Sequence, residues 1–162
     1  MQTRKLGNGG RAVSVIAMTC ALAVALGQSQ STTAGDRERL IGAWHLVRID
    51  ASGSGGPSAS AGTPRGLLIY TRDGHMSVQL MYPQTANAPN NEYVQDGYEA
   101  SFGSYDVDET KHIVTHHVQG SITRDRLVGK NLPRIYQLSK DGQLIIRSAD
   151  PNEHWSVTWE HY

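Results

Sequence analysis

Eight short runs of strand-forming residues, each bounded by turn signals, confine this chain to an all-β fold. The runs are Ala43–Ile49, Gly66–Thr71, His75–Met81, Ser101–Asp108, His112–Val118, Arg134–Ser139, Gln143–Ser148 and Trp155–Glu160. Asp73-Gly74, Glu109-Thr110 and Asp141-Gly142 occupy tight hairpin positions, so neighbouring runs pair as an antiparallel meander, in a barrel or a sandwich. Asp36 can cap a short helix over Arg37–Ile41, and Asn90–Ala100 has the pattern of a weak helix near 91–99, using Tyr93, Val94 and Tyr98. Ala51–Pro64, rich in Gly, Ser and Ala with no large side chain, reads as a mobile loop. No repeat or second domain is visible.

Hairpin register assigns side chains to faces, because cross-strand partners share a face. A two-residue turn at Asp73-Gly74 pairs Ile69 with Val78, Leu67 with Leu80 and Thr71 with Met76, leaving Tyr70, Ser77 and Gln79 on the other face. A two-residue turn at Glu109-Thr110 pairs Tyr105 with Val114, Val107 with His112 and Gly103 with His116. That face is the more apolar, so His116 points inward and His117 outward, and Gly103 leaves space beside the imidazole. At the third hairpin a three-residue loop, Lys140-Asp141-Gly142, gathers Arg134, Tyr136, Leu138, Leu144 and Ile146 on one side.

The N-terminal stretch has a different character. Residues 12–26 are almost wholly apolar and follow Arg4, Lys5 and Arg11. A helix of that length reaches about 22 Å, short of the ~30 Å hydrocarbon core. Small residues then offer cleavage after Gly27 or after Ala34. Residues 1–34 are therefore expected to be a secretory signal with a short spacer. Residues 35–162 form the folded domain, exported to the periplasm or the medium, with no membrane insertion after cleavage. The chain holds 15 basic and 15 acidic residues, and the leader's charges are all basic, so the mature domain is mildly acidic. Without a basic run it is unsuited to nucleic acid. Cys20, the single cysteine, lies in the leader, which excludes disulfides and cysteine chemistry from the mature chain.

Several chemistries fail on spacing. His112, His116 and His117 are the closest histidines, but strand residues two apart lie ~6.8 Å apart and four apart ~13.5 Å. His112 and His116 cannot share one ion, His117 faces away, and no metal is expected. Gly53-Ser54-Gly55-Gly56 lacks the strand and helix of a phosphate loop. No nucleophile elbow, Ser/His/Asp set or cofactor motif stands out. Gly42-Ala43-Trp44 opens the first strand. There Trp44 reads as a plug for a barrel's closed end, stacked on an inward arginine, Arg134 first and Arg147 second.

The stretches LIGAWHLV (40–47), GLLIYTRDGHMSVQLM (66–81), FGSYDVDE (102–109), HHVQGS (116–121), Val128-Gly129, Arg134 and Trp159-Glu160 give residues 40–160 a resemblance to a family of small lipocalin-like domains of bacteria and fungi. DGHMS and FGSY are the specific part. The resemblance implies an eight-stranded antiparallel barrel with a central cavity, and brings no reaction with it. One departure is Ile122–Leu127, where an apolar, proline-bearing segment is expected.

The reading that follows is a binding module that takes a small, largely apolar molecule into the barrel. Tyr105, His116 and Arg134 would orient one polar group, and Gly103 and Tyr136 would shape the site. An acid/base enzyme (an isomerase, cyclase or dehydratase) is the alternative, with His116 as the catalytic group and Tyr105 or Arg134 steadying an oxyanion. A structural or interaction domain with a filled interior is the third reading. Oligomeric state is not legible.

Overall fold

The structure, a computed structural model, describes residues 35–51, 63–84 and 88–162. The expected leader and most of the Ala51–Pro64 loop lie outside the described residues. A short helix α1 (Asp36–Leu40) leads into eight strands: β1 (Gly42–Ala51), β2 (Arg65–Tyr70), β3 (His75–Met81), β4 (Tyr98–Asp108), β5 (Ile113–Ser121), β6 (Asn131–Leu138), β7 (Gln143–Ser148) and β8 (Trp155–His161). Each strand pairs antiparallel with the next, and β8 returns to β1 to close the barrel. The expected all-β meander is therefore the observed one, and its form is the barrel.

Period-2 alternation turns sequence into an inside and an outside. In β3, Met76, Val78 and Leu80 are buried while His75, Gln79 and Met81 are exposed. A mostly apolar interior runs from Leu40 and Trp44 at one end to Leu80 and Val157.

The first hairpin corrects the expected faces. Thr71 N–H donates to His75 O at 2.9 Å, and Gly74 takes φ 90°. The loop is thus three residues, Arg72-Asp73-Gly74, with glycine in the left-handed position such loops require. Leu68 now opposes Val78 and Tyr70 opposes Met76. A one-residue slip exchanges the faces of one strand, so Leu68 and Tyr70 are buried where Leu67 and Ile69 were expected. The β6–β7 hairpin has the same three-residue form, with Gly142 at φ 83° and Leu138 opposite Leu144. There the expected faces are found.

The β4–β5 connection also differs. It spans four residues, from Asp108 to Ile113. The Asp108 carboxylate accepts from Thr110 N–H and Lys111 N–H, both at 3.1 Å, and His112 adopts φ 53°. Tyr105 consequently faces His116, and Gly103 faces Val118. The shift is by two residues, so His116 still points inward. At Gln119 the register slips, with Phe102 opposite Gly120. This bulge presses β5 onto Gly103: a Cβ there would sit 2.0 Å from His117 O. Gly103 therefore leaves no pocket beside the imidazole; it accommodates the backbone of the neighbouring strand.

Residues 91–99 form turns and the start of β4 rather than a helix. Asn91 Oδ1 accepts from the N–H groups of Tyr93 and Val94, and Asp96 has φ 50°. The segment's outer carbonyls are bonded by the charged connection that departs from the family pattern. Arg124 donates to Val94 O and Arg126 to Asn91 O.

Candidate functional site

α1 closes one end of the barrel, and its polar groups are partnered. Trp44, 1% exposed, donates from Nε1 to Leu40 O at 2.8 Å and packs on His161 with ring centroids 3.6 Å apart. The arginine expected to stack on Trp44 is elsewhere; Arg147 is exposed on β7. Tyr136 Oη donates to Asp36 and Tyr105 Oη to Thr71 O, while Arg37 lies over the Tyr105 ring.

Further in, the corrected β2 register brings Tyr70 against His116. Their Oη and Nε2 atoms are 2.6 Å apart, and Tyr105 packs on Tyr70 with centroids 4.7 Å apart. Burial, then the Arg134 and His117 charges, pushes the imidazole of His116 down to about 3. Burial pushes the Tyr70 phenol up. The pair is two neutral groups sharing one hydrogen bond across the physiological range. At neutral pH His116 is therefore a hydrogen-bonding group in its neutral form. His117 points outward and bonds Asp106 and Asn131. These two bonds raise its pKa, the Asn131 contact first.

Arg134 points inward from β6 and is 7% exposed. Its guanidinium carbon lies 4.9 Å from the ring centroid of Tyr93 and 4.9 Å from that of Trp155. Tyr93 comes from the β3–β4 connection and Trp155 opens β8, so both rings reach it from the end opposite α1. Glu153 ties these rings together, accepting from Tyr93 Oη at 2.7 Å and from Trp155 Nε1 at 3.1 Å. Burial opposes ionisation of Glu153, but hydrogen bonds from Ser148, Tyr93 and Trp155, with the Arg134 charge, hold its carboxyl below the usual range. Among the described residues Arg134 is the only buried lysine or arginine.

Glu99 also faces inward, opposite buried Leu80 and two residues before buried Ser101 on β4. Burial pushes its carboxyl up to about 7, against the pull of Arg134. The sequence reading missed Glu99 and Tyr70. The signal for Tyr70 was hairpin loop length; Glu99 was hidden by the helix-like pattern before β4. Among the described residues no cluster of His, Cys, Asp and Glu is placed to hold a metal ion.

Comparison with known proteins fits this architecture. Residues 41–161 match the family model described as a lipocalin-like domain, and the chain belongs to that family. No curated protein matches the chain. Among solved structures, the fluorescent protein UnaG is similar at 12% identity over 77% of this chain. A point mutant aligns over 97% of its own length with a TM-score of 0.40, and the wild type over 98% with a TM-score of 0.38.

Proposed function

We propose that this lipocalin-like domain is an exported binding protein that holds one small, largely apolar molecule inside its barrel. A barrel of eight strands is wide enough either for one small ligand or for side chains that fill it. The make-up of the interior carries the first reading. An apolar wall is interrupted by a few convergent polar groups, which is the composition of ligand sites. The Tyr70–His116 pair, Arg134 and Glu99 supply those groups. Gly103, Tyr105 and Tyr136 shape the wall toward α1, and Trp44 plugs that end. Export rests on the leader, and kinship with the bacterial and fungal members rests on the DGHMS and FGSY stretches.

Mass spectrometry of small molecules that copurify with the mature protein tests the binding reading. One predominantly apolar compound in near-stoichiometric amount is expected. A protein that carries nothing and excludes apolar probes would return the filled-barrel reading. N-terminal sequencing from the native compartment should begin at Gln28 or Gly35; Met1 on a membrane-bound product would refute export.

One observation favours an acid/base enzyme as the second reading: the Glu99 carboxyl, at about 7, is poised between its two protonation states at neutral pH. In that case Glu99 takes the role assigned to His116. Incubating the copurified compound with protein and with a Glu99→Gln variant separates the two readings, because only an enzyme converts it, and only with Glu99 present.

A further inference from the structure

Among the described residues Arg134 is the one buried lysine or arginine, and no carboxylate pairs with it. Burying a cation without a counter-ion costs several kcal/mol, and a guanidinium carries five directional N–H donors in one plane. The Tyr93 and Trp155 rings, at 4.9 Å each, offset part of the charge. Ring faces do not use up the in-plane donors. Within the described residues Arg134 makes no ion pair, and its polar contact is with the Tyr93 hydroxyl. Thr158 Oγ1 and Trp159 Nε1 are the enclosed polar side-chain atoms without partners there, and no Arg134 nitrogen is among them.

The neighbouring carboxylates do not complete it. Glu153 is engaged by Tyr93 and Trp155. Glu99 stands outside ion-pair distance and stays half-protonated near neutrality. The guanidinium sits against the corner made by the Tyr93 and Trp155 rings, whose planes meet at 71°, with no carboxylate paired to it.

From this geometry we infer that Arg134 is the anchor for a carboxylate on the bound molecule. The inference rests on the binding reading and names the ligand's class: an amphiphile with an apolar body and one carboxylate. The planar fork matches a carboxylate with two parallel N–H···O bonds. One cation in the interior neutralises one negative charge; a dianionic phosphate would leave a surplus beside Glu99. The Glu153–Tyr93–Trp155 links act as positioning contacts that hold the two rings against the guanidinium.

Two pairs of probes with matched skeletons test this: dodecanoate with dodecanol, and 4-phenylbutanoate with 4-phenylbutanol. Binding is followed through tryptophan fluorescence, to which Trp155 beside the anchor contributes with Trp44 and Trp159. The mature protein should bind at least one acid more than tenfold tighter than its alcohol. Arg134→Gln should abolish that preference, acid and alcohol then binding within about threefold of each other. Arg134→Lys, a second variant should the first fail to fold by circular dichroism, keeps charge without the fork and should lose most of the preference. Equal binding of acid and alcohol by the wild type, or a preference that survives in the variants, overturns the anchor and leaves the binding reading standing. Failure of all four probes to bind overturns both.

Discussion

The two ends of the barrel treat their polar groups differently. Toward α1, Trp44, Tyr105 and Tyr136 each spend their donor on a defined acceptor: Leu40 O, Thr71 O and Asp36. Toward the opposite end, Arg134 is buried against two rings without an ion-pair partner, and Glu99 faces the same interior. Satisfied buried groups are what stability alone requires. An unpaired buried cation costs stability, so Arg134 is a group that folding alone does not call for.

Mutation should expose this asymmetry, and the largest effect belongs to the closed end. Trp44→Ala removes a side chain 1% exposed together with its bond to Leu40 O. A loss of about 3–5 kcal/mol is expected in urea unfolding. A change under about 1 kcal/mol would make Trp44 peripheral and remove the distinction between the ends.

Next in size is Gly103→Val. Side-chain atoms there would meet the backbone of β5, with a Cβ 2.0 Å from His117 O. Destabilisation of at least about 1–3 kcal/mol should accompany any loss of binding. A variant of wild-type stability that has lost only its ligand would restore the open space read from the sequence.

That contrast shows what was legible. The eight runs and their order are written in alternation and turn residues, and every strand is found. Faces depend on loop length, which Asp-Gly does not fix. Asp141-Gly142 was read with a three-residue loop and its faces were found, whereas Asp73-Gly74, read with two, sent Tyr70 outward. At β4–β5 the error of two residues preserved the side, so His116 was placed inward despite a wrong partner. The surroundings of Arg134 were out of reach. Tyr93 sits in an irregular connection and Trp155 at a strand end, and only closure of the barrel brings them together.

A smaller effect concerns pH, and its two halves have opposite signs. Folded Glu99 keeps its proton to about pH 7, above its ordinary value of 4.5, so its contribution is full below 4.5 and is lost as pH rises through 7. Folded His116 stays neutral to about 3, below its ordinary 6.5, so its contribution is present above 6.5 and is lost as pH falls toward 3. The two oppose each other between pH 4.5 and 6.5. Urea midpoints measured against pH should rise more steeply across that window in Glu99→Gln and fall across it in His116→Gln. Unchanged slopes in both variants would place these groups in contact with solvent.

The most direct measurement is urea unfolding of Arg134→Met beside the wild type, both first refolded from denaturant to remove any bound molecule. Replacing an unpaired buried cation by an apolar side chain of similar length should leave the protein at least as stable, with a gain of up to about 4 kcal/mol. It should also abolish carboxylate binding. A loss of about 3–5 kcal/mol, the cost of breaking a buried ion pair, would contradict the account by showing that Arg134 is already partnered within the fold.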